Sequence, residues 1–334
     1  MDASFANVTG VETVALTGAS SIVLGANATT SGIATVITGD DSTSITSTQA
    51  TLAVDATLLA TTKALTLLGS ANYTVTSTGT IFDKVTATSS TGTLNVTFGN
   101  VGNGTNAVPF VTGNGNTTVV GGDAGDTITV TGLATASQTF TGSVASFNIT
   151  AGAGAQTIAT GAAASSITGG AGIDAITLGA SNSAVDKVIY ASTEGADVAS
   201  ATTALRADAG DTIANFATSS DKIQFPAVLL NRIDGVTTTA GTAFAASQAL
   251  TSTSTNDQFK LFNASNALAT GVASSSSPAR FIFNGVDGKL YLDLLGDTTA
   301  SAAATPVIAA NTDDIFICTL TGVSTIALGD ISIV

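Results

Sequence analysis

Two glycine-rich segments place an aspartate where it could bind a hard cation. Residues 169–176 read GGAGIDAI, and residues 121–128 read GGDAGDTI. A cation such as Ca²⁺ takes about 6–8 oxygen ligands, and glycine turns supply backbone carbonyl oxygens beside the carboxylate. The segments therefore predict Ca²⁺ binding, with a metal-free structural coil as the alternative. The candidate residues are Gly121, Gly122, Asp123, Asp126, Gly169, Gly170, Ala171, Gly172 and Asp174.

The composition excludes several other kinds of chemistry. The 334 residues include no histidine and one cysteine, Cys318. A Cys/His zinc site, a Ser-His-Asp triad, a Cys-His pair and an intrachain disulfide are therefore impossible. We do not expect an enzyme. Cys318 stands between Ile317 and Thr319 in a predicted strand, and we expect it to be a buried, unreactive thiol.

The charge balance is strongly acidic. The chain carries 23 Asp and Glu against 9 Lys and Arg, which gives a formal net charge of −14. Such a protein repels phosphate backbones, so nucleic acid is not an expected partner. Mean hydropathy is +0.44, yet no stretch approaches about 18 consecutive apolar residues. Residues 1–5 lack the basic and apolar parts of a Sec signal, and we expect no membrane insertion.

An apolar residue recurs in the eighth place of a nonapeptide between residues 112 and 177. A helix would instead space its apolar residues three or four apart. The separations are 9, 12, 9, 9, 9 and 9, and residues 178–186, with Val185, are predicted to form one further turn. The recurring residues are Val119, Ile128, Phe140, Ile149, Ile158, Ile167 and Ile176.

Short strands stacked between glycine turns account for this period. Each Thr-Ile-Thr triplet turns one β-branched residue inward and two hydroxyl residues outward. Residues 1–111 show a looser version of the same pattern. We therefore predict an all-β fold, a parallel β-solenoid or β-roll, with an antiparallel sandwich of short strands as the alternative. The upstream strands are predicted to centre on Val14, Val23, Val36, Ile45, Val54, Leu65, Val75, Val85 and Val96.

The composition changes after about residue 186. Larger apolar residues and most of the charged ones lie beyond it, and FKLFN, ARFIFNG and GKLYLDLLG are predicted strands of a β-rich domain. Residues 236–257 are either a short helix or a loop. The predicted organisation is an irregular solenoid over 1–111, a nonapeptide roll over 112–186, and a β-rich cap with a C-terminal secretion-signal region over 187–334.

The segment at 169–176 matches the pattern G-G-x-G-x-D-x-U, where U is a large apolar residue, and in this it resembles the RTX family of Ca²⁺-binding β-rolls. Residues 209–223, with Asp211 and Asp221, resemble the segment that caps such rolls, and we count both aspartates as candidate metal ligands. Residues 313–334 resemble the uncleaved C-terminal signal of type I secretion substrates. The sixth place lacks an acidic residue in five other repeats, so few Ca²⁺ sites are expected; it holds Thr117, Gln138, Phe147, Gln156 and Ser165.

Within this superfamily the Ala, Thr, Ser and Gly content most resembles that of type I-secreted bacterial surface-layer (S-layer) proteins. The resemblance implies a secreted structural protein of the cell surface that self-assembles into a lattice with Ca²⁺. Cell-surface polysaccharide is a further candidate partner, which a region other than the roll would contact. Two alternatives stay open, namely the C-terminal RTX module of a type I-secreted adhesin and the non-catalytic carrier portion of a secreted hydrolase.

Overall fold

The fold is a stack of short parallel β-strands. The computed structural model describes residues 2–60, 63–77, 84–87, 89–98, 107–111, 117–121, 127–131, 138–141, 146–152, 154–180, 184–190, 205, 209–227, 259–262, 281–292 and 315–334. These residues form a β-solenoid, which confirms the predicted fold class and shows that the sandwich alternative is wrong. The chain divides into two compact units, Met1–Ser165 and Ser166–Val334. The composition boundaries near residues 111 and 186 stay predictions.

The first unit contains two parallel sheets that the chain visits alternately. Strands with odd numbers pair with one another in one sheet, and strands with even numbers pair in the other. One short helix, α1 (Ala26–Ser31), lies between β2 and β3. The strands are β1 (Thr13–Ala15), β2 (Ser20–Leu24), β3 (Thr35–Ile37), β4 (Thr43–Ser47), β5 (Thr51–Asp55), β6 (Ala64–Gly69), β7 (Asn72–Ser77), β8 (Lys84–Thr86), β9 (Leu94–Phe98), β10 (Ala107–Val111), β11 (Thr117–Gly121), β12 (Thr127–Thr131), β13 (Gln138–Thr141), β14 (Ser146–Thr150) and β15 (Thr157–Ala159).

A continuous column of apolar side chains forms the core of the odd-numbered sheet. Each inward residue is the register partner of the next, and each is at most 1 % exposed. Full burial of such a side chain contributes about 1.5–3 kcal/mol, so the column stabilises every strand through its neighbours. Its members are Val36, Val54, Val75, Val96, Val119, Phe140 and Ile158.

The predicted strand centres are largely confirmed in this unit. All nine upstream centres lie within strands, and seven of them are buried. Val14 is half-buried in β1. Val23 is the error, because it is 42 % exposed while its neighbours Ile22 and Leu24 are buried. Adjacent residues of a strand point to opposite faces, so a one-residue misplacement moves the predicted side chain to the outer surface.

The second unit continues with parallel strands and ends in a mixed sheet. Strands β17, β19 and β24 pair in parallel, whereas β24–β23 and β23–β22 are antiparallel and β22–β21 is parallel. Strands β16, β18, β20 and β25 form a parallel series. The bounds are β16 (Ser166–Thr168), β17 (Ala175–Thr177), β18 (Lys187–Ile189), β19 (Asp211–Ala214), β20 (Lys222–Phe225), β21 (Phe259–Phe262), β22 (Phe281–Asn284), β23 (Lys289–Leu292), β24 (Ile315–Thr321) and β25 (Ile331–Ile333).

Larger side chains fill the core of the second unit. Tyr190 stacks on Phe225 with ring centroids 5.6 Å apart, and Phe225 contacts Phe281 at 5.0 Å. The three predicted strands around residues 259, 281 and 289 are confirmed. A further strand does follow residues 178–186, namely β18, but the predicted inward residue is wrong, because Val185 is 39 % exposed and Val188 is the buried residue. Residues 236–257 lie outside the described part of the chain.

Gly69, at the end of β6, occupies a corner that excludes a side chain. Its φ is +95°, and a Cβ there would collide with the Ser47 carbonyl oxygen of the preceding turn. Gly18 also has a positive φ, of +61°, but faces open space. We expect Gly69→Ala to reduce the free energy of unfolding by about 3 kcal/mol, and Gly18→Ala by about 1 kcal/mol, as measured by urea unfolding. Equal losses would contradict the corner contact.

Tyr73 is completely buried in β7, where its hydroxyl lies 2.6 Å from the Leu68 carbonyl oxygen. Burial raises the pKa of Tyr73 from 10.0 to about 12. The folded state therefore disfavours the phenolate. The stability that the neutral, hydrogen-bonded Tyr73 hydroxyl contributes is complete below pH 10 and is lost as the pH rises towards 12. We expect Tyr73→Phe to be less stable by about 1 kcal/mol at neutral pH. The difference in stability between the parent and Tyr73→Phe should disappear between pH 10 and 12, as measured by thermal unfolding. Half-buried Tyr291→Phe is the control.

Candidate functional site

The predicted site residues are only partly within the described structure. Gly169, Gly170, Ala171, Gly172, Asp174, Asp211 and Asp221 are described, and Gly121 is the last residue of β11. Gly122, Asp123 and Asp126 lie outside the described residues. The structure can therefore test the geometry of the turn at 169–174 and of the two later aspartates.

The turn at 169–174 requires its glycines for identifiable reasons. Gly170 and Gly172 have φ values of +87° and +133°, in the region that favours glycine. Gly169 lies directly against the Asp174 carboxylate, and a Cβ there would collide with Oδ2. Asp174 is 1 % exposed and immediately precedes β17. The motif thus folds the chain around an inward-facing carboxylate.

Asp211 holds the backbone of this turn from the next strand of the same sheet. Its Oδ1 accepts a hydrogen bond from the Asp174 N–H at 2.8 Å, and its Oδ2 accepts one from the Tyr190 hydroxyl at 2.9 Å. Pairing of β17 with β19 places Ala175 opposite Thr212. The structure therefore brings two of the predicted site residues, Asp174 and Asp211, onto successive turns.

Asp221 makes the same type of contact in the other series of strands. Its Oδ1 accepts the Asp186 N–H at 3.0 Å, and its Oδ2 accepts the Ala217 N–H at 2.8 Å. Burial raises the pKa of the Asp221 carboxyl, although these two donors and Lys222 act to lower it and Asp330 adds to the rise. The buried charge is thus held by amide donors.

Sequence reasoning missed Asp186, Asp330 and Tyr190. Asp330 is completely buried and accepts the Ser219 N–H at 2.7 Å and the Ala327 N–H at 2.8 Å. The signal for Asp186 was present, because it stands two residues before the buried Val188, as Asp174 stands before Ile176. Asp330 breaks that spacing, since a buried residue follows it directly.

The candidate calcium ligands differ in what surrounds their carboxylates. In the turn at 169–174 a buried carboxylate lies directly against the Gly169 backbone, and carboxylate and carbonyl oxygens are the ligands that Ca²⁺ takes. Each carboxylate oxygen of Asp211 and Asp221 instead accepts a hydrogen bond from an N–H or O–H group of the chain, and their role as metal ligands stays a prediction. Within the described ranges, no group of three or more His, Cys, Asp or Glu is placed to hold a metal ion.

Cys318 is buried, as predicted, in β24 opposite Asp211. Burial raises the pKa of the Cys318 thiol, and the Asp211 charge adds to the rise, whereas Tyr190 lowers it. A thiol held in its neutral form is a poor nucleophile and a poor metal ligand. Cys318 therefore contributes packing to the second unit.

Comparisons with known proteins identify no relative. No family model, curated protein or solved structure matches this chain. Across the described residues, no helix has the length and apolar character needed to cross a membrane. The RTX and S-layer resemblances therefore stay predictions that depend on the motifs.

The contact between Gly169 and Asp174 can be tested with a double-mutant cycle. We expect Gly169→Ala to lower the free energy of unfolding by about 2 kcal/mol, because the new methyl group meets the carboxylate. In an Asp174→Ala background the same change should cost about 1 kcal/mol or less, because the obstructing group is gone. Chemical denaturation of the four proteins measures the coupling, and an additive cycle would contradict the proposed geometry.

Proposed function

We propose that this chain is a structural protein of the bacterial cell surface that self-assembles into an S-layer lattice. The observation that carries the proposal is the outer face of the odd-numbered sheet in the first unit. A rank of exposed or half-exposed small residues runs in register from strand to strand along this face. Its members are Thr35, Ala53, Thr74, Asn95, Thr118, Thr139 and Thr157.

This rank has properties that favour side-by-side assembly. Its members carry no charge, and parallel pairing repeats them about every 4.8 Å. A second rank on the same face contains half-buried Asp55 and then Thr76, Thr97 and Thr141, which are exposed. Short uncharged side chains allow two such faces to approach closely without desolvating an ion. A regular face whose first rank is uncharged therefore supports a repeating contact between copies.

The net charge supports a role for calcium in this assembly. A formal charge of −14 makes copies of the chain repel one another. Divalent cations reduce that repulsion, and the proposal puts one ion at the turn at 169–174, where the buried Asp174 carboxylate lies against Gly169. Asp174 would bind the ion, with carbonyl oxygens of residues 169–172 as further ligands. Sites in extracellular modules bind calcium at about 10⁻⁴–10⁻³ M.

Secretion to the cell surface belongs to the same proposal. The solenoid is held by backbone pairing and aliphatic packing, which do not depend on the redox state of the compartment. The motif at 169–176 and the C-terminal sequence supply the resemblance to type I substrates. The proposal gives the chain no catalytic role, and its partner is a further copy of itself.

Electron microscopy of the purified full chain tests the proposal. In millimolar Ca²⁺ we expect two-dimensional sheets, and in excess EGTA we expect dispersed particles. Asp174→Ala should require about tenfold more Ca²⁺ for assembly, because it removes the carboxylate of the motif turn. The matched control is Asp40→Ala, which removes an exposed carboxylate of the first unit.

The outcomes separate the two parts of the proposal. Persistent monomers in millimolar Ca²⁺ would contradict the lattice and favour a binding module. Sheets that form equally well in EGTA, or an Asp174→Ala variant that behaves like Asp40→Ala, would contradict the calcium site while leaving self-assembly in place.

A further inference from the structure

We propose that carboxylates take the place of calcium at the C-terminal turns of the solenoid, so that β18, β20 and β25 stay paired when calcium is removed. The proposal concerns the second unit alone and does not depend on lattice formation. It predicts that removal of calcium leaves the pairing of these three strands unchanged.

Two aspartates make the same pair of contacts at successive turns. Asp221 accepts one N–H from the preceding turn, that of Asp186, and one from its own turn, that of Ala217. Asp330 likewise accepts the N–H of Ser219 from the preceding turn and that of Ala327 from its own. Each carboxylate therefore ties its turn to the one before it. We call this arrangement the carboxylate lock.

The first unit contains a neutral counterpart of the lock. Ser165 stands two residues before the buried Ile167, the spacing that Asp221 has to Ile223. Its Oγ accepts the Phe147 N–H of the preceding turn at 3.1 Å. A side-chain oxygen in this position therefore serves to join turns even where no charge is present, which indicates a structural role for the position.

Groups of the chain satisfy the carboxylates of the lock. Both oxygens of Asp221 and of Asp330 accept an N–H, whereas a Ca²⁺ site would gather about 6–8 oxygen ligands. The Lys222 ammonium lies 3.7 Å from Asp330 Oδ1 and supplies positive charge at the same place. Charge-assisted bonds of this kind are stronger than those between neutral groups. The charges are thus offset by groups of the chain itself.

The lock also closes the end of the sheet. Asp330 directly precedes β25, whose Ile331 and Ile333 are buried. The backbone continues the pairing, because the Val334 N–H bonds to the Phe225 carbonyl and the Ala227 N–H to the Val334 carbonyl. Loss of the Asp330 contacts would therefore release the terminal strand.

Hydrogen exchange on dilute, unassembled full-length protein tests the proposal. In the parent we expect amide exchange in residues 211–225 and 327–334 to be the same, within about twofold, in Ca²⁺ and in EGTA. Asp221→Asn and Asp330→Asn should accelerate exchange there by about tenfold or more, because an amide NH₂ replaces one acceptor oxygen. The acceleration should be equal with and without Ca²⁺. Exposed Asp287→Asn is the matched control.

Two results would overturn the proposal. One is an acceleration of about tenfold in these segments of the parent on chelation, comparable to the loss of a charge-assisted hydrogen bond. The other is restoration of slow exchange in either variant by added Ca²⁺. If the variants do not fold, the comparison of the parent in Ca²⁺ and EGTA decides the question alone.

Discussion

The alternation of inward and outward residues must stay in register through every parallel pair of strands. Strands of three to seven residues are too short to be stable alone, so each depends on the apolar residue that its neighbour places beside its own. A slip of one residue would bury threonine and expose valine. Close packing of Val54 on Val36 and Val75 therefore fixes the position of each strand and the corner that follows it.

The corners limit which residues the turns accept. Between successive turns, backbone lies directly against backbone where Gly69 meets the Ser47 carbonyl. Within the turn at 169–174, Gly169 meets the Asp174 carboxylate. Peptide N–H groups at the corners still need acceptors. In the second unit buried aspartates supply them, which explains how an acidic chain can bury carboxylates such as Asp221 and Asp330 in a stable fold.

The division between core and surface gives the proposed function its physical basis. The core needs only one apolar residue at every second position, which leaves the outer positions free to vary. In the first unit one rank of those positions carries short neutral side chains in register, such as Thr74 and Thr139. A surface with a fixed repeat and little charge suits contacts that recur between identical molecules.

The fold class, most strand centres and the glycine motif could be predicted from the sequence, because a nonapeptide period and two-residue alternation are local properties. It misplaced Val23 by one residue, since periodicity cannot distinguish adjacent faces of a short strand. It misplaced Val185 by three residues, since the buried Ile176 and Val188 are 12 positions apart and not 9. It identified Asp211 and Asp221 only as candidate ligands. Their contacts with N–H groups come from residues 37 and 35 positions away. Such pairings exist only once the turns are stacked, so the tertiary structure alone decided that these carboxylates join turns.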